Sequence, residues 1–143
     1  MKVVLNKCYG GFGLSFGAVI AIAARKEKPC FIYERLGYAQ DYESQMYQRI
    51  SEQKKSGEIF FAVAEDLGDT CTAEALNQAT HLNFDRNIDR DDPDLVAIVE
   101  DMGELANGEH AELQIVEIPD DVDYVVEEYD GREWIAEVHR TWR

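Results

Sequence analysis

Three stretches of this 143-residue chain carry groups with chemical capacity. The first is Cys8-Tyr9-Gly10-Gly11-Phe12-Gly13-Leu14-Ser15, a glycine cluster between a valine-rich run and an alanine/isoleucine-rich run. A strand, a glycine turn and a helix start can together aim backbone amides at a phosphate or another anion. The spacing is neither a Walker loop nor a dinucleotide fingerprint, and no acidic strand-end residue is placed to read a ribose. Glycine's free choice of φ is the simpler account, giving a tight turn with Phe12 packed inside. Cys8 reads as a nucleophile or as a buried apolar side chain. No base accompanies it in sequence, which favours burial.

The second stretch is Tyr124–Tyr129 and Arg132–His139, flanking Asp130-Gly131. That dipeptide is the strongest short hairpin signal and calls for a type I′ turn. A two-residue loop sets Tyr129 opposite Arg132, Glu128 opposite Glu133, Val126 opposite Ile135 and Tyr124 opposite Glu137. Alternation puts Glu128, Glu133, Glu137 and His139 on one face, and Val125, Tyr129, Trp134, Ala136 and Val138 on the other. Facing carboxylates repel by up to about 1 kcal/mol. Arg140, a cationic partner, a metal or water could offset them. The group could also do acid–base work, although a solvated outer face is the simpler reading. The third stretch is Arg140-Thr141-Trp142-Arg143. Tryptophan and arginine suit contact surfaces, where an indole stacks on a base and guanidiniums meet phosphate. Alternatively Trp142 caps the core and the arginines neutralise nearby acids.

The elements that would position these groups follow from pattern. Val3–Leu5 predicts a strand, and Ser15 a cap for a helix over Phe16–Lys26. Cys30–Arg35 predicts a second strand, Tyr42–Lys54 a helix, Glu58–Ala64 a third strand and Thr72–Ala79 a short helix. Residues 80–92 show no period and predict a loop. Asp91-Asp92-Pro93 starts a helix that buries Leu95, Ile98, Val99 and Met102, and Gly103 stops it. Ala111–Ile118 alternates as a half-buried strand, and Pro119 ends it. The fold class expected is α+β: one compact domain, residues 1–143, with a mixed or antiparallel sheet, two to four helices and a C-terminal hairpin.

The formal net charge is −15, from 14 Lys and Arg against 29 Asp and Glu. It is unevenly placed: residues 85–143 hold 19 of the acids and 5 of the bases, and no lysine follows Lys55. Such a field repels nucleic acid as a direct partner. The longest apolar stretch, Leu14–Ala24, is too short for a bilayer span, so no membrane role is expected. No secretory signal is visible. Cys8, Cys30 and Cys71 form no CxxC pair, fitting free thiols in a reducing cytoplasm and no structural metal. Nothing calls for a cofactor. No signal for oligomeric state is present.

Two segments, Asn6-Lys7-Cys8-Tyr9-Gly10-Gly11-Phe12-Gly13-Leu14-Ser15 and Glu128-Tyr129-Asp130-Gly131 through Glu133-Trp134 to His139-Arg140-Thr141-Trp142, resemble the opening and close of a family of small uncharacterised bacteriophage and prophage proteins. Asp91–Leu95, Ala106-Asn107-Gly108 and Ile115–Pro119 share in the resemblance. It carries no catalytic set. It implies a mobile-element protein in a bacterial cytoplasm, where many small proteins counter host defences.

Three functional readings result. The slightly favoured one is a phage-type small-molecule-binding protein, a sponge for a nucleotide-derived immune signal. Its pocket would join Cys8, Gly10, Gly11, Phe12, Gly13 and Ser15 to Arg140, Trp142 and Arg143. The alternative is an acidic, nucleic-acid-mimicking inhibitor of anti-CRISPR type that binds a basic host protein. A small hydrolase using Glu128, Glu133, Glu137 or His139 ranks last, because no full catalytic set is recognisable.

Overall fold

The computed structural model describes residues 1–53 and 59–138. Its strands are β1 (Lys2–Asn6), β2 (Phe31–Leu36), β3 (Met46–Ile50), β4 (Phe61–Val63), β5 (Thr70–Thr72), β6 (Leu113–Glu117), β7 (Tyr124–Tyr129) and β8 (Arg132–Glu137). Its helices are α1 (Phe16–Arg25), α2 (Ala73–Gln78), α3 (Phe84–Asn87) and α4 (Pro93–Met102), the last followed by a 3₁₀ turn over Gly103–Ala106. The fold class is α+β, and every strand pairing among the described residues is antiparallel. The chain divides into two units, one of residues 1–18 and 85–143, the other of residues 19–84.

In the first unit β1 pairs with β6, with Val4 opposite Ile115. Val3, Val4 and Leu5 are all buried, so β1 is covered on both faces. Helix α4 lies against both strands and buries Leu95, Ile98 and Val99, while Met102, the fourth residue of the expected stripe, is half-buried. Asp92 caps it, its Oδ1 accepting from the Asp94 and Leu95 amides at 2.9 and 3.2 Å. Proline occupies the start of the helix, where no amide is needed, and Gly103 ends it at positive φ. Ser15 plays the capping part for α1, accepting from the Ala18 amide at 3.1 Å. The hairpin β7–β8 has the register expected, including Glu128 opposite Glu133. Asp130 and Gly131 both have positive φ, as a type I′ turn demands.

The second unit is a four-stranded sheet in the order β4-β2-β3-β5. One face packs Tyr33, Tyr47, Val63 and Cys71 against Ala73 and Leu76 of α2. Tyr33 is fully buried and its hydroxyl is satisfied twice, donating to Gly68 O at 2.8 Å and accepting from the Leu67 amide at 2.9 Å. The helix expected over residues 42–54 is absent from the described part of that range, where β3 stands instead. Gln45, 6% exposed, is one cause. Its amide donates to Gly37 O and Met46 O and its Oε1 accepts from the Ala39 amide, which fixes a loop where helix bonds would form. The other cause is pairing: Tyr47 and Arg49 lie opposite Arg35 and Tyr33 on β2, and tertiary pairing overrides the local helix preference. Strand β5 and the one-turn α3 are further elements that periodicity did not indicate. No helix among the described residues is long and apolar enough to cross a membrane.

Candidate functional site

Strand β1 delivers Asn6 to the centre of the first unit, where it is wholly buried. Its side-chain amide donates to Cys8 O at 2.8 Å and to Gly131 O at 2.7 Å, while its Oδ1 accepts from the Glu112 amide at 2.8 Å. One polar side chain thus ties the glycine turn, the segment before β6 and the hairpin tip together, with every hydrogen-bonding position in use. The Asn6 main-chain amide donates to Glu133 Oε1 at 2.7 Å.

Glu133 is the buried carboxylate of the hairpin, 6% exposed. Arg90 answers it with both guanidinium nitrogens, Nη2 lying 2.8 Å from Oε2 and Nη1 bonding Oε1. The same guanidinium lies over the Phe12 ring, 3.6 Å from its centroid. Main-chain pairing fixes the arginine, since the Val4 amide donates to Arg90 O at 2.8 Å. A bidentate pair with a third donor is the geometry in which a buried charge is tolerated. The repulsion expected between Glu128 and Glu133 is therefore resolved inside the chain, by an arginine from a segment without periodic pattern.

This clasp also decides which side of the hairpin faces outward. The Glu133 side turns inward, with Tyr124, Val126 and Ile135 partly buried beside it, while Glu128 and Glu137 at its margins are exposed. The outward side presents Val125, Tyr129, Trp134 and Val138, all exposed. Thus the apolar side is the solvated one, and the carboxylate side holds the buried acid. Trp134 Nε1 donates to Glu127 Oε2 at 3.1 Å across the strands, and the Arg132 guanidinium lies 5.9 Å from the ring of Tyr9.

The glycine turn is filled by the chain itself. A Cβ on Gly131 would lie 2.5 Å from Gly11 N and 2.8 Å from Tyr9 O. One on Gly10 would collide with His110 O, and one on Gly108 would lie 2.8 Å from the Gly13 carbonyl carbon. Gly108 N donates to Gly13 O at 2.9 Å. The cluster therefore permits backbone to meet backbone at three places. The Cys8 thiol donates to His110 O at 2.9 Å, and Ser15 Oγ to Leu105 O at 2.7 Å. Cys8, Phe12 and Ser15 are thus accounted for by local packing and capping.

Of the residues singled out in sequence, the structure gathers Cys8, the three glycines, Phe12 and Glu133 around Asn6 and Arg90, while Glu128 and Glu137 stand apart in solvent. His139, Arg140, Trp142 and Arg143 lie outside the described residues. Asn6 and Arg90 were missed. The strand expected over Val3–Leu5 stops one residue short of Asn6, and only the position of Asn6 beside the glycine turn could have marked it. Among the described residues no group of three or more His, Cys, Asp or Glu side chains is placed to hold a metal ion.

The second unit has a cavity of about 750 Å³ lined by Ile20, Cys30, Phe31, Arg49, Ile50 and Asp69 among others. Its arginine is engaged, bonding Asp66 at 2.8 Å and Asp69 at 3.1 Å. Burial pushes the Cys30 thiol pKa up, so the neutral thiol dominates at neutral pH. Comparison with protein-family models, curated proteins and solved structures finds no match to this chain.

Proposed function

We propose that this chain is an acidic protein-binding module that occupies the cationic surface of a nucleic-acid-binding partner. One observation carries the reading. Of the 19 carboxylates in residues 85–143, only Glu133 is buried and two others, Asp92 and Asp94, are half-buried; the remaining sixteen are exposed. The buried one forms a neutral pair with Arg90, so neither contributes to the surface field. A folded surface so charged accelerates encounter with a basic groove and repels nucleic acid, which is the selectivity that a competitor for such a groove needs. The phage resemblance supplies the matching class of partner, a host defence protein. The nucleotide-sponge reading draws less support, because Gly10 is closed off by His110 and the backbones of Gly11 and Gly13 are met by Gly131 and Gly108.

The test is displacement. Labelled duplex DNA is bound to purified basic bacterial nucleases and CRISPR effectors, and this protein is titrated in. The reading expects saturable release of DNA from at least one of them, weakening steeply as salt rises. It is overturned if none releases its DNA while a nucleotide or cyclic dinucleotide stabilises the protein, by about 2.7 kcal/mol at a hundredfold its dissociation constant.

A further inference from the structure

We infer that the outward face of the β7–β8 hairpin, extended by Tyr9, is the docking surface for a basic, extended peptide segment of the partner, an inference that rests on the acidic-module reading above. The face is a two-stranded ribbon about 20 Å long, the length of one extended segment of about six residues. Along it run Tyr9, Tyr129, Trp134, Val125 and Val138, all exposed, Tyr129 at 72% and Trp134 at 42%. Exposed apolar side chains this close together mark interaction surfaces, and tyrosine, tryptophan and arginine are the types that carry most binding energy.

Two of the rings, Trp134 and Tyr9, are placed before any partner arrives. Trp134 is tied to Glu127, Arg132 lies over Tyr9, and the strand beneath is locked through Glu133 to Arg90 and Asn6. For Trp134 and Tyr9 less side-chain freedom is then lost on association. Charge then selects the occupant. Exposed Asp123 and Asp130 stand at the two ends of the ribbon and exposed Glu127 on the strip itself, three acids against Arg132 opposite Tyr129, so cationic groups at intervals between apolar ones find both kinds of contact. A segment whose residues at i, i+2 and i+4 alternate arginine or lysine with an aliphatic side chain turns both kinds toward this face and is complementary; an acidic or purely apolar one is not.

The probes are two fluorescein-labelled peptides of equal length and charge, an arginine–valine peptide repeating Arg-Gly-Val-Gly and an arginine–glycine peptide repeating Arg-Gly-Gly-Gly, titrated by anisotropy. The wild-type protein is expected to bind the arginine–valine peptide about tenfold tighter than the arginine–glycine peptide. The Tyr129→Ala/Trp134→Ala double variant should lose that preference while keeping the weaker binding and its salt dependence. Val125→Lys, at an exposed position, should weaken the arginine–valine peptide independently, and far-UV circular dichroism checks that both variants are folded. A preference that survives both variants overturns the docking surface but leaves the acidic module standing. Failure of the wild type to bind either peptide overturns both.

Discussion

Breaking the Arg90–Glu133 clasp should destabilise the first unit more than any surface change. Glu133→Ala leaves the guanidinium its stack on Phe12 and one long hydrogen bond to Val4 O at 3.4 Å, and leaves the buried main-chain amide of Asn6 without its acceptor. Removing one partner of a buried pair costs about 3–5 kcal/mol. The Arg90 side chain is 19% exposed and can reach water, which places the loss near about 3. Glu133→Gln keeps one oxygen for the Asn6 amide and Arg90 Nη1 but sets an NH2 donor against Nη2, so the charge and one hydrogen bond are lost and about 2 kcal/mol is expected. The Arg90→Met/Glu133→Leu double variant removes both charges. Its remaining deficit is the unpaired Asn6 amide and the lost stack on Phe12, about 1–2 kcal/mol, so it should be more stable than Glu133→Ala. Urea unfolding followed by tryptophan emission reports this unit, since both tryptophans fall within residues 85–143. A loss below about 1 kcal/mol for Glu133→Ala, the range of an exposed ion pair, would refute the reasoning.

Gly131→Ala should cost well over 1 kcal/mol, because Tyr9 O and Gly11 N occupy the methyl's place, whereas Gly11→Ala meets nothing within 4 Å and should cost about 1–2 kcal/mol from its positive φ alone; urea midpoints decide. Asp92→Ala removes two cap bonds from α4 and should lower stability by about 1 kcal/mol, read from the same curves. In the second unit, hydrogen bonds from Ser44 to Asp41, from Thr80 to Glu65 and from the Gly68 amide to Asp66 hold these carboxyl pKa values below their ordinary ones. Depressed carboxylates contribute stability that is fully present above about pH 5 and lost as pH falls through their folded values. Thermal midpoints should therefore drop on acidification below about pH 4, and a midpoint that rises there would contradict the assignment.

Most of the backbone was legible because it is written locally. Asp92-Pro93 and Gly103 bracket α4, and Asp130-Gly131 sets the hairpin register, since each rule needs only a few neighbouring residues. The β3 segment was misread because its strand character comes from pairing with β2 and from the buried Gln45, both non-local. The two faces of the hairpin were separated correctly by alternation, yet which one turns inward depended on Arg90, 43 residues before Glu133. A carboxylate face reads as solvated until a distant cation is known to be waiting for it. The glycine turn posed the same problem, for its partners Gly108, His110 and Gly131 lie about a hundred residues further along the chain.

The most direct measurement is amide chemical-shift mapping of the protein on addition of the arginine–valine peptide. An acidic module docking through its hairpin predicts shifts concentrated at Tyr9, Val125, Glu127, Tyr129, Arg132 and Trp134, fading as salt is raised. Shifts gathered instead around Cys30, Phe31 and Arg49 in the second unit would contradict it.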